Sequence, residues 1–185
     1  MNQSAGLNCI PIIEMHSLSL KPKMTTMTLP ATFSDTARLW VYQANPPFPE
    51  EAIPEIEAAL QRFAQQWVSH NRQLKATAEV LHNRFVLLMV DESQADASGC
   101  SIDSSVRFLK QLQAQYGVDL FDRMVFSYKD GEAVRTVNRD EFAALYEAGA
   151  IDDRTLVFDT LIDSKADFES GWLKPLGESW HKRLV

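Results

Sequence analysis

The sequence predicts an α+β protein, and two observations lead to that class. Segments with the two-residue period of β-strands alternate with segments that have the three- and four-residue spacing of amphipathic helices. The composition, with 45% hydrophobic and 23% charged residues in a chain of 185, is typical of a globular protein that can bury a core. The order of the segments then predicts how the fold is divided.

The first half of the chain contains three predicted strands and one predicted helix. Residues 38–43 carry apolar side chains on both faces, as does a strand that is covered on both sides. Residues 50–69 place apolar side chains at helical spacing, which indicates an amphipathic helix. Residues 74–81 alternate and residues 85–90 are wholly apolar, and the short turn His82-Asn83 between them predicts a hairpin.

A second helix and a fourth strand complete an order of secondary-structure elements that is known from other proteins. Apolar residues at helical spacing from Ile102 to Leu112 indicate a helix that ends near Gly117. Residues 124–128 have the composition of a further strand. The resulting order β-α-β-β-α-β is that of the ferredoxin-like motif, which we therefore predict for residues 31–128.

A tail precedes this unit and a small extension follows it. Residues 1–30 are rich in Ser, Thr, Met and Pro without a period that would bury one face, so we expect a flexible tail or an overextended translation start. Residues 129–185 include a short helix, with Asn138 as N-cap and Glu141 three residues later, and then a strand over 155–162. We expect this extension to pack on the first unit.

A helix, a turn and a strand in this extension carry a resemblance to a known module. Within residues 124–172 they are the helix capped by Asn138, the turn Gly149-Ala150-Ile151, the strand Thr155-Leu156-Val157-Phe158 and the later aromatic Trp172. In this respect the segment resembles the bacterial GYF-like module, which implies a small α+β fold. The Gly-Pro signature of that family is replaced here by Glu132-Ala133-Val134-Arg135, so the resemblance does not carry proline-rich peptide binding with it.

Five short strings carry a second resemblance, which covers residues 38–181. They are WVYQA at Trp40 to Ala44, SGCSID at Ser98 to Asp103, FDR at Phe121 to Arg123, VFD at Val157 to Asp159 and SWH at Ser179 to His181. With them the chain resembles a family of short, uncharacterised bacterial proteins that often carry the label ABC transporter ATPase. Such an ATPase needs G-x-x-x-x-G-K-[ST] to hold phosphate, and the chain lacks this string, so we expect no ATP hydrolysis.

Charge and cysteine content narrow the expected partners and location. A net charge of −7, from 25 acidic and 18 basic residues, provides no basic stripe for phosphate contacts, so we expect no nucleic acid partner. No stretch approaches the roughly 20 apolar residues of a membrane helix, and residues 7–13 lack the basic flank of a signal peptide. With only Cys9 and Cys100, we expect a cytoplasmic protein without membrane insertion or a disulfide framework.

Acidic residues follow the predicted central strand, a place where α+β proteins often put metal ligands. Asp91, Glu92 and Asp96 do not have the spacing of a known hard-metal loop, and a solvated strand end explains them. We therefore predict no metal and no cofactor.

The string Ser98-Gly99-Cys100-Ser101-Ile102-Asp103 is the cluster that most suggests chemistry. It leads into the second predicted helix, where backbone N–H groups and the helix dipole favour a reactive thiolate at Cys100. The amides of Ser98, Gly99 and Ser101 could seat an anion or substrate, although Asp103 adds negative charge at the same place. A capping serine and a small packed cysteine explain the string without chemistry.

A catalytic Cys100 would need a base, and histidine is the usual partner. The candidates are His70, His82 and His181, none of which the sequence places beside the thiol.

Aromatic residues are dense in the last third of the chain. Tyr128, Tyr146, Trp172 and Trp180 are the candidates for an exposed groove that binds a peptide, and core packing is the alternative interpretation. We therefore predict a non-enzymatic protein-interaction or scaffold module. A thiol-dependent enzyme or redox sensor centred on Cys100 is the alternative function.

Overall fold

The computed structural model describes residues 29–185, and this part of the chain folds into β-sheets and α-helices. The predicted α+β class is confirmed. The predicted tail over residues 1–30 lies, except for its last two residues, outside the described residues. Among residues 29–185, no helix combines the length and the apolar character needed to span a bilayer.

The first part of the chain builds a three-stranded antiparallel sheet covered by two helices. Its elements are β1 (Arg38–Gln43), α1 (Ile53–Gln66), β2 (Val68–Ser69), β3 (Arg72–Gln73), β4 (Lys75–Leu81), β5 (Phe85–Asp91) and α2 (Gly99–Tyr116). The strand order is β1-β5-β4, and β2 and β3 form a separate small ribbon. Every residue of β5 is buried, which agrees with its wholly apolar sequence and its central position.

Local signals in the sequence set the ends of several elements. The Ser98 hydroxyl accepts the Ser101 N–H at the start of α2, and Gly117 ends that helix with a φ of 64°. Between β4 and β5, His82 and Asn83 both have a φ of 52°, as the central residues of a tight hairpin turn require.

The second part of the chain builds a four-stranded sheet with short helices. Its elements are β6 (Val125–Asp130), β7 (Ala133–Asn138), α3 (Arg139–Glu147), β8 (Leu156–Phe158), α4 (Lys165–Gly171) and β9 (Leu173–Pro175). The strand order is β7-β6-β8-β9, with every neighbouring pair antiparallel. The predicted cap of α3 is present, since Asn138 Oδ1 accepts the Glu141 N–H at 2.9 Å.

The strand pairing differs from the predicted ferredoxin-like unit at its fourth strand. In such a unit, the fourth strand lies beside the first and completes the sheet. Here β6 pairs with β7 and β8 instead, so the first sheet stops at three strands and one edge of β1 stays open. The reason is that both edges of β6 are occupied, one by β7 through a tight hairpin turned by Gly131 and the other by β8.

Apolar residues cover both faces of the first sheet. On one face, Val86 and Leu88 of β5 pack with α1 and α2. On the other face, Phe85 and Leu87 pack with residues of the second part that include Phe158. A third cluster fills the space between the second sheet and α3. The first sheet is therefore a middle layer, and β1 reaches the surface along its free edge.

Candidate functional site

A cavity of about 780 Å³ lies along the free edge of β1. One wall is β1 itself, and the other walls come from residues 120–126, residues 160–166 and Trp180. Its volume falls within the range of about 300–1,000 Å³ that is typical of ligand-binding clefts. The cavity therefore sits where the first sheet meets the second part of the chain.

Within the described residues 29–185, the edge of β1 is open because no strand pairs with it on the side away from β5. On that side the Leu39 N–H donates to Asp163 O at 2.8 Å, which shows that odd-numbered residues of β1 turn their backbone groups towards the cavity. The N–H and C=O groups of Val41 and Gln43 therefore face the cavity. Within residues 29–185 these four groups have no hydrogen-bond partner.

Short backbone contacts close both ends of this edge. At one end Arg38 forms an isolated antiparallel bridge with Ser164. At the other end, Asn45 and Asp119 exchange two N–H to O bonds of 2.9 Å each. The open stretch thus lies between residues 39 and 45, about 20 Å at roughly 3.3 Å per residue.

Apolar and aromatic side chains line the cavity on both faces of β1. Trp40 and Tyr42 are half-buried on the face that α1 and α2 cover, and the Tyr42 ring meets Phe121 edge-on with centroids 5.6 Å apart. Trp180 is half-buried in the opposite wall, where Leu161 is 62% exposed. Exposed apolar surface beside an unpaired strand edge is typical of a binding groove.

Gln43 is a buried polar side chain in the wall of the cavity. Its Nε2 donates to Val125 O at 3.4 Å, which fixes the orientation of the amide because a carbonyl oxygen can only accept. Its Oε1 is buried and has no hydrogen-bond partner in the described part of the chain. A buried acceptor without a donor costs about 1–3 kcal/mol, so folding alone does not explain a glutamine here.

Acidic residues gather around Arg38 at one end of the cavity. Arg38 lies over the Trp40 ring, with its Cζ 4.8 Å from the ring centroid, and its Nη1 is 3.8 Å from Glu92 Oε1. Asp35 and Asp163, both exposed, line the cavity at the same end. The three carboxylates outnumber the two cations here, Arg38 and the Lys165 that lies 3.2 Å from Asp35, so this end of the cavity has a net negative charge.

The loop after α2 forms the other end. Burial raises the pKa of the Tyr42 hydroxyl, and the nearby Arg123 charge partly offsets the rise, so Tyr42 is a neutral phenol at physiological pH. Asp122 Oδ1 accepts the Met124 N–H at 2.8 Å and so holds the loop in shape. Charge at this end is therefore balanced between Asp122 and Arg123.

The predicted thiol cluster lies outside this cavity. Its members, none of which lines the cavity, are Ser98, Gly99, Cys100, Ser101 and Asp103. The serines are used for helix capping, since the Ser101 hydroxyl donates to Ser98 O at 2.7 Å in addition to the cap at the Ser98 hydroxyl. Cys100 is exposed in the first turn of α2, and Asp103 is exposed one turn further on.

The predicted histidine partners of Cys100 are spread over the molecule. His70 is exposed in the β2–β3 turn, which touches the start of α2 where the Ser98 N–H donates to Ser69 Oγ at 3.3 Å. His82 stacks on Trp172 in the turn between β4 and β5. His181 is 1% exposed. Among the described residues, Cys100 makes no hydrogen bond to a histidine.

Ser179 and His181 have the spacing of a nucleophile and its base, with the Ser179 Oγ 2.7 Å from His181 Nδ1. Both residues are buried, so a substrate would not reach them. Burial also lowers the pKa of His181 to about 4. The Ser179 hydroxyl accepts the His181 N–H at the start of the last 3₁₀ turn, so the pair is an N-cap.

The four aromatic residues predicted to form a peptide groove do not lie together on the surface. Tyr128 and Trp172 are only 6% and 9% exposed, because they complete two of the apolar clusters, and they offer a peptide almost no surface. Tyr146 is half-buried, and its hydroxyl donates to Asp153 Oδ1 at 2.8 Å. Trp180 is the one member of the four that lines the β1 cavity.

The acidic residues after β5 are engaged in structure. Asp91 is buried, and its pKa is held well below the usual range by the Lys75 ammonium at 2.7 Å and by N–H donors of Ser93 and Ser34. Glu92 accepts the Ala97 N–H at 3.0 Å. Within residues 29–185, no three His, Cys, Asp or Glu side chains are grouped so as to hold a metal ion.

Apart from Trp180, the residues that build the cavity were not predicted as binding residues. Trp40, Tyr42 and Gln43 belong to a segment that was assigned only a structural role, and Phe121 lies in a loop. One signal was present, because Gln43 directly follows the four apolar residues Leu39 to Tyr42 in a strand that is covered on both faces. The open edge carries no local signal, since it depends on where β6 pairs.

Comparison of the chain with known protein families, with curated protein sequences and with solved structures gives no match.

Proposed function

We propose that this protein binds other proteins by taking an extended peptide segment onto the free edge of β1. The observation that carries the proposal is the set of unpaired backbone groups of Val41 and Gln43, which face a cavity of about 780 Å³. Strand addition of this kind draws affinity from main-chain hydrogen bonds and specificity from pockets beside the edge. Trp40, Tyr42 and Trp180 provide apolar surface on both sides of such a segment.

Gln43 supports the same function. Its Oε1 lacks a donor among residues 29–185 and is buried in the wall of the cavity, so a shift of the Gln43 side chain would bring it within reach of a peptide N–H. Polar groups that folding leaves unsatisfied are more common at binding sites than in cores, because the ligand completes their hydrogen bonds.

The variant Val41→Pro tests the proposal. It removes the N–H that faces the cavity and leaves the bonds to β5 intact, which proline allows at an edge strand. We expect binding of a pool of randomised N-acetylated hexapeptides, measured by affinity selection and mass spectrometry, to fall at least about tenfold. The control Val41→Ala keeps the N–H and should bind nearly as well as the parent chain.

Thermal unfolding of Val41→Pro verifies that the variant is folded. If the variant unfolds, the change can be made in the peptide instead. N-methylation of the selected peptides removes backbone N–H groups and with them the main-chain hydrogen bonds to β1. Peptides that bind equally well with and without backbone N-methylation, or a pool without any binder, would contradict the proposal.

We further propose that β6, β7, α3 and β8 form a GYF-like unit within the bacterial family that the chain resembles. The supporting features are the Asn138 cap of α3, the φ of 69° at Gly149 and the buried side chain of Ile151 before β8. We infer a cytoplasmic location, because two cysteines, Cys9 and Cys100, do not make a disulfide framework and the thiol of Cys100 is exposed, as is common in a reducing compartment.

Thiol chemistry at Cys100 is a second candidate function, and the exposure of its side chain at the first turn of α2 favours it. The rate of iodoacetamide labelling as a function of pH tests it. A reactive site should label with a midpoint well below about 8.5, and an ordinary midpoint would leave Cys100 without this role.

A further inference from the structure

The first sheet lacks one strand, and the cavity lies where that strand would be. β1 and β4 are both antiparallel to β5, so they run parallel to each other with β5 between them. In a complete unit of this kind, a fourth strand pairs with the free edge of β1. Asp119, opposite Asn45, lies where such a fourth strand would begin, but the chain then turns away from β1 and forms β6.

At the Arg38 end of β1, residues of the chain again lie beside the free edge of the strand. Ser164 stands opposite Arg38 in a second antiparallel bridge, and Asp163 O accepts the Leu39 N–H. The segments around Asp119 and Ser164 both run antiparallel to β1. A strand that joined them across the open stretch would therefore also be antiparallel to β1. An occupant that forms such a strand runs from the Asn45 end of β1 towards the Arg38 end.

The filled positions also limit the length of the occupant. Positions opposite Leu39 and Asn45 are taken, and the hydrogen-bonding positions left open are those opposite Val41 and Gln43. About four residues therefore fit in the open stretch, and the chain on either side of them must turn out of the groove. A second copy of this protein fits poorly, because the segments that flank its own β1 would collide with the same segments here.

Side chains on both faces of β1 select apolar residues in the occupant. Residues opposite Trp40 and Tyr42 would share the aromatic face that includes Phe121. Residues opposite Val41 and Gln43 would meet the wall that contains Leu161 and Trp180. An occupant apolar on both faces satisfies both walls.

Charge at the Arg38 end of the cavity favours a particular type of residue after the apolar residues of the bound segment. Asp35, Glu92 and Asp163 line that end together with Arg38, and the second cation of the lining, Arg123, lies at the opposite end. Lys165 lies behind Asp35 at 3.2 Å, but it also contacts Glu169 at 3.6 Å. A lysine or arginine that follows the apolar residues would therefore be attracted to this end.

We propose, on the basis of the peptide-binding function above, that the occupant is an antiparallel fourth strand from a partner protein. It contributes about four apolar residues, followed on their C-terminal side by a basic residue that lies among Asp35, Glu92 and Asp163. The partner would thus complete the sheet that β6 leaves open.

Three synthetic peptides test this inference. The probe is acetyl-Gly-Val-Leu-Val-Phe-Lys-Gly-amide, and its two controls are the same peptide with Glu in place of Lys and the peptide with the reversed sequence. We expect the Lys peptide to bind at least about tenfold more tightly than either control at low salt, with a smaller margin at high salt. A nitroxide label at its C-terminus should broaden amide signals near Arg38 more strongly than those near Asn45, at the other end of the groove.

A charge-reversal variant tests the acidic end directly. Asp163→Lys should shift the preference towards the Glu peptide, because its side chain is exposed and its backbone bond to Leu39 does not depend on the residue type. The control Asp96→Lys makes the same charge change at an exposed position that does not line the cavity, and should leave the preference unchanged.

The outcomes separate this inference from the function on which it rests. Equal binding of all three peptides, or stronger broadening near Asn45 than near Arg38, would overturn the antiparallel basic segment. If Val41→Pro nevertheless abolished binding of these peptides, the proposal that a peptide pairs with the edge of β1 would still hold. If none of the three peptides bound, the inference would fall, and the randomised pool would decide the function. If the Val41 amide were protected from hydrogen exchange in the free protein, the groove would already be occupied by the chain's own residues. If that protection depended on protein concentration, the occupant would be a second copy of the chain.

Discussion

Three buried polar side chains illustrate how this fold treats polar groups. Asp91 has Lys75 and backbone N–H donors around it, so its charge contributes to stability. His181 is kept neutral beside Ser179. Gln43 differs from both, because its Oε1 has no partner in the described chain. Trp172 Nε1, away from the cavity, is the other buried side-chain atom without a hydrogen-bond partner among residues 29–185.

The neutral state of His181 makes stability depend on pH. Burial is the main reason that its pKa falls from 6.5 to about 4, with Asp159 opposing the shift and Lys174 adding to it. Between these values the unfolded chain binds a proton that the folded chain does not. Stability should therefore be complete above pH 6.5 and fall by about 3 kcal/mol as the pH drops to 4.

Urea unfolding at pH 7 and pH 4.5 measures this loss. In His181→Gln the difference between the two pH values should shrink by about 2 kcal/mol, while His70→Gln, a change at an exposed histidine, should leave it unaltered. An unchanged pH dependence in His181→Gln would show that the imidazole is not held neutral.

At the scale of elements, the strands and helices with local signals were predicted well. The apolar string of β5, the capped start of α3 and the Gly117 end of α2 lie where the sequence placed them. The strand predicted over 155–162 ends at Phe158, because Asp159 turns away to accept hydrogen bonds from Lys174 and Trp180. α4, β9 and the β2–β3 ribbon are too short to give a period.

The start of α2 offers a test of the capping interpretation of the thiol segment. Ser98→Ala removes the hydroxyl that accepts the Ser101 N–H at 3.3 Å, and should lower the free energy of unfolding by about 1 kcal/mol. Gln94→Ala, in the exposed loop before the helix, is the control and should cost less. A Ser98→Ala variant as stable as the parent would weaken the structural explanation of the Ser98 to Asp103 string.

At the scale of the whole molecule, an apolar cluster ties the two parts of the chain together. Phe85 of β5 lies 4.8 Å from Phe158 of β8 and 5.3 Å from Trp172, measured between ring centroids. This contact could not be predicted from the sequence, because it joins residues more than 70 positions apart through two sheets. The open edge of β1, and with it the candidate site, depends on the same arrangement.

The shared cluster predicts that the two parts unfold together. Phe158→Ala should cost about 3–5 kcal/mol and lower the unfolding midpoint of both sheets alike, because Phe158 is fully buried between them. The control Leu156→Ala changes a 38% exposed residue of the same strand and should cost far less. Separate transitions, followed by amide exchange in β5 and β6, would show two independent domains.

Hydrogen exchange at single residues of β1 tests the open edge most directly. In the free protein the amides of Val41 and Gln43 should exchange nearly as fast as in an unfolded chain, while those of Trp40 and Tyr42, which face β5, should be protected. Addition of the Lys peptide should slow exchange at Val41 and Gln43 alone. Equal protection of all four amides in the free protein, or no change at Val41 and Gln43 on peptide binding, would contradict strand addition at β1.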